Sequence, residues 1–104
     1  MQRTIKPEEF KSIADQATVL DVRRRADRES SSEAIPGATW KDPEQIDQWI
    51  GALPKDQDVV IYCVRGGGVS NSVVDRLQAE GVNARFIDGG IEGYKAAGGK
   101  VAPK

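Results

Sequence analysis

The chain reads as an α/β domain with a central, mostly parallel sheet flanked by helices, and two observations predict it. The first is a set of short apolar, largely β-branched runs, Thr18-Val19-Leu20-Asp21-Val22 and Val59-Val60-Ile61-Tyr62, joined by Ala84-Arg85-Phe86-Ile87. Near-continuous apolar strands suit a parallel sheet covered on both faces. The second is the helical spacing of apolar residues between those runs, as in Val73, Val74 and Leu77. Alternating strands and helices build an α/β layer structure. Right-handed crossovers then gather the C-terminal ends of the strands along one edge, where the functional loops of open α/β sheets collect.

In chain order, Thr4-Ile5 reads as a short edge strand. Pro7-Glu8-Glu9-Phe10 opens a helix, with proline early and acids in the first turn, and Phe10, Ile13 and Ala14 form its apolar face. After the strand at 18–22 comes a loop from Arg23 to Ser32, which has no apolar periodicity. Ile35-Pro36-Gly37-Ala38 is a turn. Asp42-Pro43-Glu44 starts a helix carrying Ile46, Trp49 and Ile50 at core spacing. Pro54 to Asp58 turns into the strand at 59–62. A helix then runs from about Ser70 to Glu80 and stops at Gly81. Following the strand at 84–87, Gly89-Gly90 leads into a last short helix over about 92–97. Trp40 and Trp49 are expected in the core.

Length and composition narrow the function. The 104 residues fit one domain, residues 1–104, able to bury a single core without disulfides or metals. One cysteine and no histidine exclude an internal disulfide, a zinc cluster and a Cys–His dyad, so no metal or other cofactor is expected. With 15 basic and 16 acidic residues, the net charge of −1 gives no reason to expect nucleic acid or an anionic membrane as partner. The N-terminal residues form no apolar signal segment, and no apolar run is long enough to span a bilayer, so a cytoplasmic protein is expected. The one charge run, Arg23-Arg24-Arg25 with Arg28, reads as a solvated loop partly offset by Asp27 and Glu29; its alternative reading is attraction of an anionic substrate or acidic partner.

Cys63 is the most informative residue. It ends the apolar strand and is followed by Val64-Arg65-Gly66-Gly67-Gly68-Val69-Ser70, a glycine turn running into a helix. Glycines let successive N–H groups face inward, and a helix N-terminus adds positive potential. Both favour a thiolate nucleophile over an inert buried thiol. Arg65 has two open readings: contact with an anionic substrate, or exposure to solvent. Asp21 and Arg23 also have two, substrate contacts near the loop or a buried ion pair fixing the strand end, and the ion pair is preferred.

Three further segments carry a family resemblance: Leu20-Asp21-Val22-Arg23, Ala34-Ile35-Pro36-Gly37-Ala38 and Asp88-Gly89-Gly90-Ile91-Glu92-Gly93-Tyr94. With Cys63 between the second and third, the chain resembles the single-domain rhodanese family of sulfurtransferases. The resemblance implies a three-layer α/β fold and a ping-pong cycle. Cys63 would take sulfur from thiosulfate or a similar anionic donor as a persulfide, then pass it to cyanide, a cellular thiol or a protein acceptor. Backbone N–H groups from Val64 to Ser70 would cradle the terminal sulfur, with Asp21 and Arg23 supporting the site. Asp88 is expected to accept hydrogen bonds from the loop backbone, and Gly89 and Gly90 to allow close approach to it.

The sequence also departs from the family pattern. Gly68 stands where a basic or small polar residue is usual, Ala34 replaces a histidine and Tyr94 a tryptophan. Aligned on its helix, the loop is one residue longer than usual, as in the related dual-specificity phosphatases and arsenate reductases. Those enzymes carry an arginine six residues after the cysteine; Val69 occupies that position here, which argues against oxyanion chemistry of their kind. A non-catalytic regulatory or binding module is the other alternative.

Overall fold

The computed structural model describes residues 3–103. Met1, Gln2 and Lys104, which the sequence reading includes in its single domain and, for the first two, in the N-terminal segment weighed as a signal peptide, lie outside the described residues. Five parallel strands form the central sheet: β1 (Thr4–Ile5), β2 (Thr18–Asp21), β4 (Thr39–Trp40), β5 (Val59–Tyr62) and β6 (Ala84–Ile87), in the order β1-β6-β5-β2-β4. A separate antiparallel ribbon pairs β3 (Glu33–Ala34) with β7 (Ala102–Pro103).

Strand side chains alternate between two apolar layers. Leu20, Val59, Ile61, Ala84 and Phe86 face α3 (Ile46–Trp49) and α4 (Gly68–Ala79), meeting Ile46, Trp49, Val73, Val74 and Leu77. Ile5, Val19, Val60, Tyr62 and Ile87 face α1 (Pro7–Ile13) and α5 (Gly90–Ala96), meeting Phe10, Ile91 and Tyr94. The result is the expected three-layer arrangement. Phe10 and Tyr94 pack edge to face with ring centroids 5.8 Å apart. At the far end of α4, Val82 N–H donates to Leu77 O and Gly81 N–H to Gln78 O, with Gly81 at φ +83°, a Schellman stop.

Several elements differ from the sequence reading. Arg25–Glu29, read as loop, forms a short helix, α2, with no buried residue; an exposed helix leaves no apolar periodicity to detect. The β3–β7 ribbon and β4 are two-residue strands, too short for a pattern. The segment after Asp42 is not one regular helix: 3₁₀ turns at Pro43–Gln45 and Ile50–Ala52 flank the four residues of α3. Helix α4 begins two residues earlier than expected, inside the glycine run. Among the described residues no helix is long and apolar enough to cross a membrane.

Candidate active site

The register of the sheet places β2 beside β5, with Asp21 opposite Tyr62 and Val22 N–H donating to Tyr62 O. The chain after β2 therefore emerges next to the chain after β5. Cys63 lies at this junction, 6 % exposed, in a cleft of about 410 Å³ whose wall includes Arg24, Asp27, Val64, Arg65, Gly67, Gly68 and Val69.

The loop after Cys63 is held from behind by α5. Ile91 N–H donates to Cys63 O at 2.9 Å and Glu92 N–H to Val64 O at 3.1 Å. In a trans peptide the carbonyl and the following N–H point in opposite directions. Fixing those two carbonyls on α5 thus turns the N–H groups of Val64 and Arg65 away from α5. On the other side of the loop, the first helical bond of α4 runs from Asn71 N–H to Gly67 O. The N–H groups of Gly68, Val69 and Ser70 precede it and have no acceptor within the helix. The turn thereby offers donors and a positive helix end beside a thiol.

Two glycines make this contact possible. A Cβ on Gly90, which has φ +64°, would lie 2.5 Å from Cys63 O and 2.6 Å from Val64 O. One on Gly66, at φ +72°, would lie 3.1 Å from Gly89 N and 3.3 Å from Ile87 O. Each glycine therefore serves the close packing of the Cys63 loop on the β6–α5 turn.

Beneath the cleft, Asp21 and Arg23 form the buried pair, 2 % and 1 % exposed. Arg23 Nη2 donates to Asp21 Oδ2 at 2.7 Å and Nε to Oδ1 at 3.0 Å, while Arg23 N–H donates to Oδ1 at 3.0 Å. Arg23 Nη2 also reaches Glu33 O at 3.1 Å, and its guanidinium lies 5.6 Å from the Tyr62 ring centre. The Tyr62 hydroxyl accepts a hydrogen bond from Ile35 N–H at 3.3 Å. Burial pulls the Arg23 pKa down, but the hydrogen bonds and charge of Asp21 reverse this and leave it raised. Burial, then the Asp21 charge, push Tyr62 well above the ordinary tyrosine range. This network ties the end of β2, the turn at 35–38 and the strand leading to Cys63 into one unit.

A family profile described as Rhodanese-like domain matches residues 6–97. The chain belongs to that family. Among curated relatives of this rhodanese domain, the tRNA sulfurtransferase of Desulfurococcus amylolyticus is 33 % identical over 89 residues, covering 86 % of this chain and 17 % of the relative. The tRNA 2-selenouridine synthase of a Shewanella species is 35 % identical over 52 residues, covering 50 % and 14 %. The chain thus spans less than a fifth of the length of either. Among solved structures, a rhodanese-related protein of Thermoplasma volcanium superposes with a TM-score of 0.86 at 22 % identity, covering 98 % of this chain and 99 % of that one, a likeness of fold alone. A thiosulfate sulfurtransferase of Pseudomonas aeruginosa gives 0.81 at 25 % identity, covering 99 % of this chain and 20 % of that one.

Against the sequence reading of this rhodanese site, the structure brings Val64, Arg65, Gly67, Gly68 and Val69 to the cleft with Cys63. Gly66 instead faces the β6–α5 turn. Ser70 is fully buried and its hydroxyl has no hydrogen-bond partner, so only its backbone N–H is available to the cradle. The expected role of Asp88 is not seen: its side chain is exposed, its N–H donates to Ile5 O, and the amides of Ile91 and Glu92 bind the loop instead. Trp49 joins the core as expected. Trp40 is only half buried; its Nε1 donates to Arg23 O at 2.9 Å, and the guanidiniums of Arg25 and Arg28 lie 5.5 and 5.2 Å from its ring centre. Two further cleft residues, Arg24 and Asp27, entered the sequence reading only as members of a charge run read as solvated, with attraction of an anionic substrate or acidic partner as its alternative; the run does not say which charge faces what.

Proposed function

We propose that this domain is a sulfurtransferase that carries sulfur as a persulfide on Cys63. In the first half-reaction the Cys63 thiolate attacks the outer sulfur of thiosulfate. The Cys63–sulfur bond forms, the sulfur–sulfur bond of the donor breaks, and its electron pair leaves with sulfite. In the second, cyanide or a thiolate attacks the terminal sulfur of the persulfide and releases the Cys63 thiolate. Each step conserves charge and needs no histidine base, metal or external oxidant.

The observation that carries this reading is the placement of Cys63 in a cleft beside uncommitted amides of the loop and the first turn of α4. Such donors act where negative charge sits on the terminal sulfur, by the same electrostatics as an oxyanion hole. The sulfurtransferase names among relatives support it at the level of family. Val69 counts against a phosphatase or arsenate reductase, since its partly buried side chain packs on the core cluster around α4 and brings no charge to the cleft. A reducing, cytoplasmic setting belongs to the same proposal, because the cycle needs Cys63 free at each turnover.

The test is intact mass after thiosulfate and then after cyanide. A gain of one sulfur, about 32 Da, mapped to Cys63, removed by cyanide and absent in Cys63→Ser supports a covalent cycle. A folded Cys63→Ser protein that still transfers sulfur would sink it.

A further inference from the structure

We propose that the Cys63 cleft continues across Gly68 into a second compartment, which holds the body of the sulfur acceptor and, through Glu44, selects an ammonium-bearing thiol of about tripeptide size; this rests on the sulfurtransferase reading above. A cavity of about 320 Å³ is lined by Arg24, Pro43, Glu44, Gly68, Val69 and Ser72. It shares Arg24, Gly68 and Val69 with the cleft of about 410 Å³ that holds Cys63, so the two adjoin along that line. Both volumes fall in the range of small-molecule sites, about 300–1,000 Å³. The partition between them is bare backbone at Gly68, where a Cβ would meet nothing within 4 Å. A diatomic acceptor such as cyanide uses none of the second compartment.

The chemistry of that compartment specifies its ligand. Glu44 is exposed, and its carboxylate forms no ion pair or hydrogen bond with any described residue. Its backbone is nonetheless fixed. Asp42 Oδ1 accepts from Glu44 N–H at 3.0 Å, Asp42 O accepts from Trp49 Nε1 at 2.8 Å, and Pro43 locks the φ between them. Ser72 adds a hydroxyl from α4. Arg24, on the shared wall, is likewise exposed and without an ion pair to any described residue. An unpaired anion and an unpaired cation in one compartment complement the amino-acid end of a ligand, ammonium on Glu44 and carboxylate on Arg24. The thiol of the same molecule crosses Gly68 to the persulfide. Having lost its proton to solvent, it attacks the terminal sulfur. The bond between acceptor sulfur and terminal sulfur forms, the bond to Cys63 Sγ breaks, and its electron pair restores the Cys63 thiolate.

The experiment loads Cys63 with thiosulfate and times discharge of the persulfide by glutathione and by glutaryl-cysteinylglycine, which lacks only the ammonium. Glutathione should half-saturate discharge at about fivefold lower concentration, and Glu44→Gln should abolish that preference. Ser72→Phe fills the compartment and should raise the half-saturating concentration of both peptides on the order of tenfold. Glu80→Gln, the same charge change at the far end of α4, should change neither. Equal discharge by the two peptides, or a preference that survives Glu44→Gln, would overturn the assignment. A second readout does not depend on turnover: S-methylglutathione, which has no thiol, should slow alkylation of Cys63 by iodoacetamide, and Glu44→Gln should weaken that protection. Protection in a protein that forms no persulfide would keep the compartment and remove the sulfurtransferase reading. Persulfide formation with no protection, or with protection unaffected by Glu44→Gln, would do the reverse.

Discussion

Gly90→Ala tests the claim that the Cys63 loop is shaped from behind. The added Cβ would lie 2.5 Å from Cys63 O and 2.6 Å from both Val64 C and Val64 O, all backbone atoms with no rotamer to yield. Relief requires α5 to back away, and the two bonds that cross the gap, Ile91 N–H to Cys63 O and Glu92 N–H to Val64 O, stretch with it. Each such bond contributes about 1 kcal/mol net. The φ of +64° adds roughly 1–2 kcal/mol for any residue with a Cβ. Together the loss is about 3–4 kcal/mol, a large share of the roughly 5–15 kcal/mol typical of a domain. Urea unfolding reads that loss, and the rate of persulfide formation in the fraction still folded reads the loop. A shift of the loop on the order of 1 Å should slow that rate by up to about 100-fold. Gly68→Ala is the control, since a Cβ there meets nothing within 4 Å and φ is not positive; it should change stability by less than about 1 kcal/mol. A Gly90→Ala protein as stable as Gly68→Ala, and forming persulfide as fast as the unaltered protein, would refute the reasoning.

Three other outcomes are expected. Asp21→Asn leaves the buried Arg23 guanidinium without its carboxylate and should cost about 3–5 kcal/mol in thermal or urea unfolding; a loss below about 1 kcal/mol would mean that Arg23 is solvated after all. Tyr62, whose pKa burial and Asp21 raise, keeps its proton in the folded chain after an unfolded tyrosine, ionising near pH ~10, has released it. The associated stability is therefore intact below about pH 10 and falls as pH climbs beyond it, and Tyr62→Phe should flatten that fall when urea midpoints are compared across the range. Ser70→Ala removes a buried hydroxyl that has no partner and should raise stability by about 1 kcal/mol; a lower midpoint would show that the hydroxyl is satisfied.

What the sequence made legible was whatever a buried surface selects. Val59–Tyr62 is apolar throughout because both faces of β5 are covered, and Val73, Val74 and Leu77 repeat because one side of α4 is. Cys63 followed by glycines was legible as a strand-end turn and candidate site because the close packing of that turn needs glycine locally. Helix α2 was not, since nothing in it is buried. Nor was the partner of the loop backbone: Asp88 has the chemistry to accept N–H bonds, whereas the loop offers carbonyls to the amides of Ile91 and Glu92, a pairing set by how α5 docks. Arg23, Arg24 and Arg25 are alike as residues and differ only through tertiary surroundings, so the cleft cation could not be picked from the run.

The two helices that meet at the Cys63 loop use the same physics to opposite ends. Both present N-terminal amides that lack intrahelical acceptors. Those of α5, a seven-residue helix, are taken up by the carbonyls of Cys63 and Val64. Those at the start of α4, a twelve-residue helix, keep no such backbone carbonyl and sit beside the cleft instead. One helix end thus orients the loop, and the other is left with its potential for a ligand. The bare backbone of Gly90 lets the first happen at van der Waals range, and the glycines at 66–68 let α4 begin within five residues of the nucleophile. A site built this way draws its positive potential from backbone as well as from side chains. Arg65 is the one cation of the 64–70 loop, so the amides at the start of α4 supply the rest of the positive potential that the proposed anionic donor would meet.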